Sequence, residues 1–564
     1  MTPKPWLHSY DLGVPHTLEP YPNATLIDLF DRNAQERPNH PALLFQGRSF
    51  TYAQVNHSSD TLAAALVALG VQPGERLALL LPNSPQFIIC QLGGWKAGAI
   101  VAPINPRYTE TEMVHALNET GAETAIVLTP FYDNLKAWQS QTALQRVIAC
   151  NIKNCLPWPT RWLFTLFREA QEGHRIKLRP GDLWLDVLLR QHARAPRPNR
   201  HIRPGDPALL LFTGGTTGRA KAALGTHQGL LISGLQINAW IGQMSQPWQD
   251  VNLLFMPLFH AYGNAGAFST AVAGRQTMAL VPNPRDLDDL IKIIGQTRPA
   301  YMACVPTLLI ALLEHPAIQA GKVDFRSIKV VLSGAAPLLA ETRRRFETLT
   351  GGHIVEGYAL TESMLAAVIS PVLGPNKPGA IGLPLPDVNV RIVDPDNGQD
   401  TLPAGKVGEI LLHAPQLMQG YWQRTAETAQ AFSDGWLVTG DLGYLDEDGY
   451  LFLVDRSKDV IKPSGFQVWP REVEEVIATH PAVAEVGVAG VPDARQGEAV
   501  KAWVVIKQDY QLGADELRNH CRQQLAAYKI PRQIEFRDSL PKSMVGKVLR
   551  RELVAQELGD NGRQ

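Results

Sequence analysis

The sequence predicts an α/β protein: a large N-terminal domain of layered α/β sheets with a β-barrel-like part, then a small α+β domain at the C-terminal end. Three observations carry that expectation. Short apolar runs recur through the first part of the chain, each followed by a segment of helical length. After residue 385 the pattern changes to hairpins. Near residue 456 a smaller unit starts, with helices and strands of its own. A chain of 564 residues also exceeds what one hydrophobic core usually serves, so two or more domains are the default.

The early runs are RLALLLP (76–82), ETAIVL (123–128), ALLLF (208–212), NLLFMPL (252–258), TMALVP (277–282), AYMACVP (300–306) and KVVLSG (329–334). They are rich in Val, Leu and Ile and do not alternate with polar residues, which suits strands buried on both faces. Alternation with helical segments points to parallel sheets covered by helices. VNVRIVD, GEILLHA and GYLFLVD, around turns such as DPDNG and DEDG, read instead as hairpin strands. DEDG (446–449) lacks the rest of a calcium-binding loop and reads as a turn. The last unit has a helix at EVEEVIATH, strands at VAEVGVAGV and AVKAWVVIK, a helix at ADELRNHCRQQLAAY and a closing loop. A boundary within DRSKD (455–459) gives domains 1–455 and 456–564.

Composition narrows the function. Hydrophobic residues at 45% and charged residues at 19% form an ordinary globular balance. A formal net charge of −1 gives no general attraction to nucleic acid, and no nucleic-acid partner is expected. Cys90, Cys150, Cys155, Cys304 and Cys521 form no CxxC pair and no zinc-type cluster, which points to a reducing compartment. MTPKPWLHSYDLGVP lacks the apolar core of a secretory signal. No apolar run reaches the ~18 residues of a membrane span. A soluble, cytoplasmic protein is the expectation.

Residues 151–203 break the rhythm, with eleven Lys/Arg against four Asp/Glu. Within them Trp158, Trp162, Leu163, Phe164, Leu166 and Phe167 crowd a short helix flanked by Arg161, Arg168 and Arg175. Two readings stand. Residues 158–168 form a surface helix packed on the core, or an interfacial helix that touches an apolar substrate or a membrane, peripheral at the inner membrane face.

FTGGTTGRAKAALGTH (212–227) is the first stretch with evident chemistry. Its glycines let the backbone turn and present N–H groups to an anion. Its threonines add hydroxyl donors, and Lys221 adds a mobile positive charge. Alone, the stretch reads either as a phosphate cradle or as a plain turn. It is not a Walker A loop, because the Gly-Lys-Ser/Thr ending is missing.

Four more stretches accompany it: GYALTES (357–363), WLVTGDLGYL (436–445), DRSKDVIKPSGFQVWPREVE (455–474) and LPKSMVGKVLRREL (540–553). In this order and at these separations the five resemble the adenylate-forming superfamily of acyl-CoA synthetases, luciferases and peptide-synthetase adenylation domains. The resemblance runs from about residue 25 to 553. It implies that a carboxylate attacks the α-phosphorus of ATP and releases pyrophosphate. A thiol then attacks the acyl carbon and releases AMP. Both reactants of the first step are anions, so such an enzyme works by positioning and charge neutralisation.

On this resemblance Thr213, Gly214, Gly215, Thr216 and Thr217 would offer donors, and Lys221 charge, to the departing β- and γ-phosphates. Thr361 would touch the α-phosphate. Glu362 would hold Mg2+, a hard cation suited to carboxylate oxygen. Tyr358 would stack on adenine beside a small-residue wall of Gly334, Ala335, Ala336 and Pro337. Asp441 would hold the ribose hydroxyls, with Arg456 bracing the sugar. Lys547 would neutralise charge at the α-phosphate and the carboxylate. Each has a plainer alternative: a core tyrosine, a strand-end turn, a helix-cap glutamate, a loop lysine.

For the second step the resemblance implies that the C-terminal domain swings about a hinge at Lys458, while Gly465 leaves room for the pantetheine arm of coenzyme A. The acid pocket is expected near PLFHAYGNAGA (257–267). His260 would face the carboxylate, neutral or positive near pH 7, with Gly263, Ala265, Gly266 and Leu360 along the acyl path. No charge in that stretch would pair with an amino acid's ammonium. PWLHSYDLGVP, the Trp/Phe-rich insert and Gly214-Gly215 resemble long-chain fatty-acid–CoA ligases in particular. No carrier domain is read after Arg550, so coenzyme A is the expected acceptor. Ala220, Ala222 and Ala359 depart from the usual proline and glycines, and Lys462 from a usual apolar residue. The expected small molecules are a fatty acid, ATP with Mg2+, and coenzyme A. Other readings are a medium-chain or aryl acid ligase, a fatty acyl-AMP ligase serving a carrier protein, and a non-catalytic lipid or nucleotide sensor. A homodimer is a further expectation.

Overall fold

A computed structural model describes residues 4–561 apart from 214–219, 284, 335–337, 457–458, 464–466, 494, 509 and 544–546. The apolar runs assemble into two large sheets. One has nine strands in the spatial order Leu383–Pro384, Leu365–Ile369, His353–Leu360, Val330–Ser333, Tyr301–Cys304, Val251–Leu254, Thr277–Leu280, Pro41–Phe45 and Arg48–Thr51. Its central strands are parallel, and antiparallel partners finish both edges. The other has seven strands, ordered Leu183–Trp184, Arg146–Cys150, Thr124–Leu128, Arg76–Leu80, Ile100–Pro103, Pro207–Phe212 and Ala222–Thr226.

One strand departs from the expected rhythm. Pro207–Phe212 is followed by an antiparallel partner, Ala222–Thr226, and not by a helix. The next helix, His227–Trp240, starts only where Thr226 caps it. The glycine-rich stretch therefore links two antiparallel strands. That geometry separates it from a strand-to-helix phosphate loop more clearly than its sequence does.

Helix Pro85–Lys96 is buried along its whole length. Its last residue, Lys96, is fully buried and needs partners. Asp60 lies 2.7 Å from its ammonium, Asp31 3.3 Å, Asn56 Oδ1 2.6 Å and Ser59 Oγ 2.8 Å. Burial lowers its pKa below the usual lysine value, and the two aspartates oppose that shift. Arg197 reaches Asp31 at 2.5 Å, which ties the basic insert to the same cluster. Capping boxes at Thr25 and Thr51 start helices Leu26–Glu36 and Tyr52–Ala68, a contribution of about 1 kcal/mol each.

After residue 385 an antiparallel sheet takes over, where the barrel-like part was expected. It is built from Asn389–Val393, Gly408–His413, Trp436–Leu445, Phe432–Ser433 and Leu451–Arg456. The DEDG segment is a turn of this sheet, with Asp446 and Asp448 both paired to Lys377. The N-terminal arm clamps the same region. Asp11 accepts the backbone N–H groups of Val372, Leu373 and Gly374 at 2.7, 3.0 and 2.5 Å.

The small C-terminal domain has a sheet of Val483–Asp493, Gly497–Ile506 and Gln533–Phe536. Its own core gathers residues such as Val473, Ile477, Val500 and Leu517. Helix Ala514–Arg522 stops earlier than its sequence pattern suggests. The end of the chain, expected as a loop, forms helix Arg550–Asn561, whose Leu553 packs with Trp503 in a separate apolar cluster.

Lys96→Met should take the buried ammonium from Asp31 and Asp60, leaving them Arg197 alone, and lower stability by about 2 kcal/mol. A urea midpoint unchanged from wild type would contradict the role given to this cluster.

Candidate active site

Asp441 lies within strand Trp436–Leu445 and is almost fully buried. Antiparallel register sets it opposite Arg456, whose Nε is 3.1 Å from Asp441 Oδ1. The other carboxylate oxygen accepts a 2.6 Å hydrogen bond from the Tyr358 hydroxyl. Tyr358 is buried on His353–Leu360, in the nine-stranded sheet. Burial first, then the Asp441 charge, hold its phenol pKa well above the usual value, so it stays a donor.

Lys547 belongs to a tight loop closed by a bridge between Lys542 and Val548. Its N–H donates to Ser543 Oγ at 3.1 Å, and its carbonyl accepts from Ser543 N–H at 2.8 Å. Its ammonium sits in the field of Arg456, Asp441, Arg550 and Asp459. Part of the residue remains open to solvent. Its surroundings are nonetheless dense enough that desolvation, and next Arg456, lower its pKa below the usual lysine value, against the pull of Asp441. Arg550 anchors the loop. It bonds both Glu474 oxygens at 3.0 and 2.6 Å, and Asp455 and Asp459 at 3.0 Å each. Asp455 also accepts the N–H groups of Arg456 and Arg471.

Glu362 stands in the turn between His353–Leu360 and Leu365–Ile369. Met364 (φ 50°) and Leu365 (φ 119°) complete that turn, a region that costs a side chain of order 1 kcal/mol or more. Ser363 Oγ braces it by accepting the Leu360 N–H at 3.2 Å and bonding the Leu365 carbonyl. Thr361 is half-buried in the same turn. Tyr421 donates to Glu362 Oε1 at 2.7 Å. The Lys221 ammonium lies 4.2 Å from the centre of the Tyr421 ring. The stretch around Tyr421 runs beside the hairpin strand: Leu224 donates to Gly420 at 2.9 Å and Trp422 to Ala222 at 2.8 Å. Sequence reasoning missed Tyr421; its one signal is the aromatic pair in GYW (420–422).

Thr213 and Lys221 close the hairpin through Thr213 N–H to Lys221 O, 2.9 Å. Gly214, Gly215, Thr216 and Thr217 lie outside the described residues, as do Ala335, Ala336, Pro337, Lys458 and Gly465. Gly334 donates to the Cys304 carbonyl at 3.1 Å. The three alanines that replace expected proline and glycines meet no obstacle. Ala220 O bonds His115 Nε2 at 2.9 Å, Ala222 is a buried strand residue, and Ala359 is exposed. Among the described residues no cluster of three or more His, Cys, Asp or Glu would hold a metal ion. Glu362 offers a single carboxylate with one oxygen engaged by Tyr421. That fits a cation carried in on phosphate oxygens better than a resident one.

His260 precedes a π-helical segment, Tyr262–Phe268. Its Nδ1 accepts the Tyr262 N–H at 3.2 Å, leaving the proton on Nε2. Desolvation holds its pKa down at about 4, so the ring is neutral at pH 7, narrowing the sequence expectation. Tyr262, two residues further on, lines an apolar cavity. Its walls include Tyr262, Gly266, Ala267 and Thr270 from this helical stretch, Met302, Leu332 and Val355 from the sheet, and Leu365. Gly263 and Ala265, expected on the acyl path, are buried elsewhere: a Cβ at Gly263 would lie 2.3 Å from the Pro257 carbonyl oxygen. Gly266, expected on the same path, does line the cavity, its missing side chain filled by Leu365, 2.5 Å from where a Cβ would stand. Leu360 is half-buried at the end of its strand.

A family model described as AMP-binding enzyme matches residues 30–422, and one described as AMP-binding enzyme C-terminal domain matches residues 472–547. The chain belongs to the AMP-binding enzyme family. Among curated relatives, a long-chain-fatty-acid–CoA ligase of Bacillus subtilis (strain 168) is 37% identical, covering 98% of both chains. The namesake of Escherichia coli O6:H1 is 36% identical with the same coverage. Among solved structures, the anthranilate CoA ligase AuaEII in complex with anthranoyl-AMP superposes with a TM-score of 0.84 at 26% identity, covering 96% of this chain and 99% of its own. ATP-bound MatB from Rhodopseudomonas palustris gives 0.80 at 28%, covering 94% and 98%.

Removing the Arg456 charge favours protonated Lys547 and so raises its pKa. In Arg456→Met the alkaline limb of kcat/KM for adenylate formation should move to higher pH, whatever the loss in rate. A limb that stays put or moves to lower pH would show that another group sets it.

Proposed function

We propose that this protein joins a long-chain fatty acid to coenzyme A in two half-reactions at one site, through an acyl-adenylate. One observation carries the reading most directly: Lys547, near the far end of the chain, lies within electrostatic range of the paired Asp441 and Arg456. The family and the names of its near-full-length relatives support the class, an AMP-forming acid–thiol ligase.

In the first half-reaction a carboxylate oxygen bonds to the α-phosphorus of ATP as the bond to the β-phosphate oxygen breaks. Asp441 accepts the ribose hydroxyls, with Arg456 and the Tyr358 hydroxyl holding its carboxylate, and the Tyr358 ring face lies against adenine beside Gly334. Lys221, Thr213 and the loop they close hold the leaving pyrophosphate. Thr361 contacts the α-phosphate. Glu362 would hold Mg2+ arriving with the triphosphate, and the ion would neutralise phosphate charge. Neutral His260 donates from Nε2 to the acid, and Lys547 meets both anions. In the second half-reaction a coenzyme A thiolate bonds to the acyl carbon and AMP leaves. The domain after the boundary at 455/456 turns about Lys458 to clear Lys547 from the thiol's path, with Gly465 beside the pantetheine.

Isotope exchange between ATP and pyrophosphate across a chain-length series tests the acid. Exchange should peak with long acyl chains; a peak with aryl acids would sink that choice. Lys547→Ala should lower exchange about 100-fold or more and largely spare thioester formation from synthetic acyl-adenylate. Equal loss of both half-reactions would refute the assigned role.

A second feature favours a bilayer as the source of the acid. Trp158, Trp162 and Phe167 are 80%, 59% and 64% exposed, with Leu163 and Leu166 beside them and Arg161, Arg168 and Arg175 around them. The ledge is rigid underneath: Phe164 packs edge-on against His174, and Glu169 binds Lys153 at 2.5 Å. Among the described residues no helix is long and apolar enough to cross a membrane. The ledge suits shallow insertion into an anionic surface, placing a cytoplasmic enzyme at the inner face of the membrane. Trp162→Glu with Phe167→Glu should abolish co-flotation with anionic vesicles, and flotation equal to wild type would defeat this role.

A further inference from the structure

The acyl cavity is not apolar throughout. Asn252 and Thr270 line it and are 3% and 4% exposed. Asn252 Oδ1 and Thr270 Oγ1 have no hydrogen-bond partner. The Asn252 amide nitrogen is already spent on Gln276 Oε1 at 2.9 Å, which turns its oxygen away from that contact. The Thr270 hydroxyl does not fold back onto its own helix turn, as buried helical threonines commonly do. Unpaired buried polar atoms are rare, and each needs an explanation.

Both lie at the deep end. Tyr262 and Leu332 wall the end near Gly334: the Tyr262 hydroxyl bonds Leu332 O at 2.6 Å, and a Cβ on Gly334 would lie 3.5 Å from it. Thr270 lies eight residues further along the helical stretch. Asn252 pairs with Tyr301 at the start of its strand, whereas Ser333 and Cys304 pair at the strand ends beside the nucleotide site.

We propose that this cavity selects an acyl chain carrying a hydroxyl group at or near its far end. This rests on the fatty-acid ligase reading and narrows its substrate. A hydroxyl donates one hydrogen bond and accepts others. It can give its proton to Asn252 Oδ1 and accept from Thr270 Oγ1, completing both at once. A ketone would satisfy Thr270 and leave Asn252 unpaired. A terminal carboxylate would be buried without a cation, since no Lys, Arg or His lines the cavity among the described residues. An unsubstituted chain would bury both polar atoms against methylene groups.

The test compares kcat/KM for thioester formation with matched pairs of acids, unsubstituted and ω- or (ω−1)-hydroxylated, over a series of lengths. For at least one length the hydroxylated acid should be favoured about 10-fold. Asn252→Leu and Thr270→Val should each lower that ratio about 10-fold. Wild-type preference for the unsubstituted acid at every length overturns the proposal and assigns the two atoms to a buried water; the ligase reading then stands. Turnover of no acid at all would remove both.

Discussion

A buried carboxylate held from two sides organises this molecule. Asp441 is nearly inaccessible, and an unpaired charge there would cost several kcal/mol. Tyr358 from the parallel sheet and Arg456 from the antiparallel sheet meet that demand together. The contact joins sheets that share no strand. It also fixes Arg456 beside the loop that carries Lys547. Lys547, near the end of the chain, thereby shares the electrostatic field of this pair.

The phosphate side follows a different logic. Its charged groups are spaced by an aromatic residue. Tyr421 holds Glu362 by its hydroxyl and Lys221 by its ring face. A carboxylate and an ammonium that touched directly would neutralise one another. With tyrosine between them, Lys221 stays available to phosphate and Glu362 keeps an oxygen for a cation. The turn bearing Glu362 is strained at Met364 and Leu365, and Leu365 is also a wall of the acyl cavity. The cation site and the acid site thus share one short segment of backbone.

The fold leaves the acid largely undetermined. Structures with high superposition scores include a ligase of an aromatic acid, while curated relatives of similar length are named for long fatty acids. Only the cavity distinguishes such cases. Here it is built by a π-helical segment, a glycine at 266 and the two buried polar side chains at its end. Of these, the π-helical segment reaches toward the nucleotide residues through Tyr262, near Gly334.

The parallel strands were legible in the sequence because burial on both faces demands unbroken apolar runs, as at 76–82 and 329–334. The glycine-rich stretch stood out because glycine, threonine and lysine together can present donors to an anion, but alone it read equally as a turn. Resemblance supplied the pairing of Asp441 with Arg456 as a site. Tertiary structure alone decided the rest. It joined the strands on either side of the glycine-rich stretch as an antiparallel pair, kept Gly266 but not Gly263 on the cavity wall, and added Tyr421, Asn252 and Thr270. The reason is physical. A run of residues encodes its own periodicity and local turns, but an unpaired atom or a shared wall depends on the register between segments far apart in the chain.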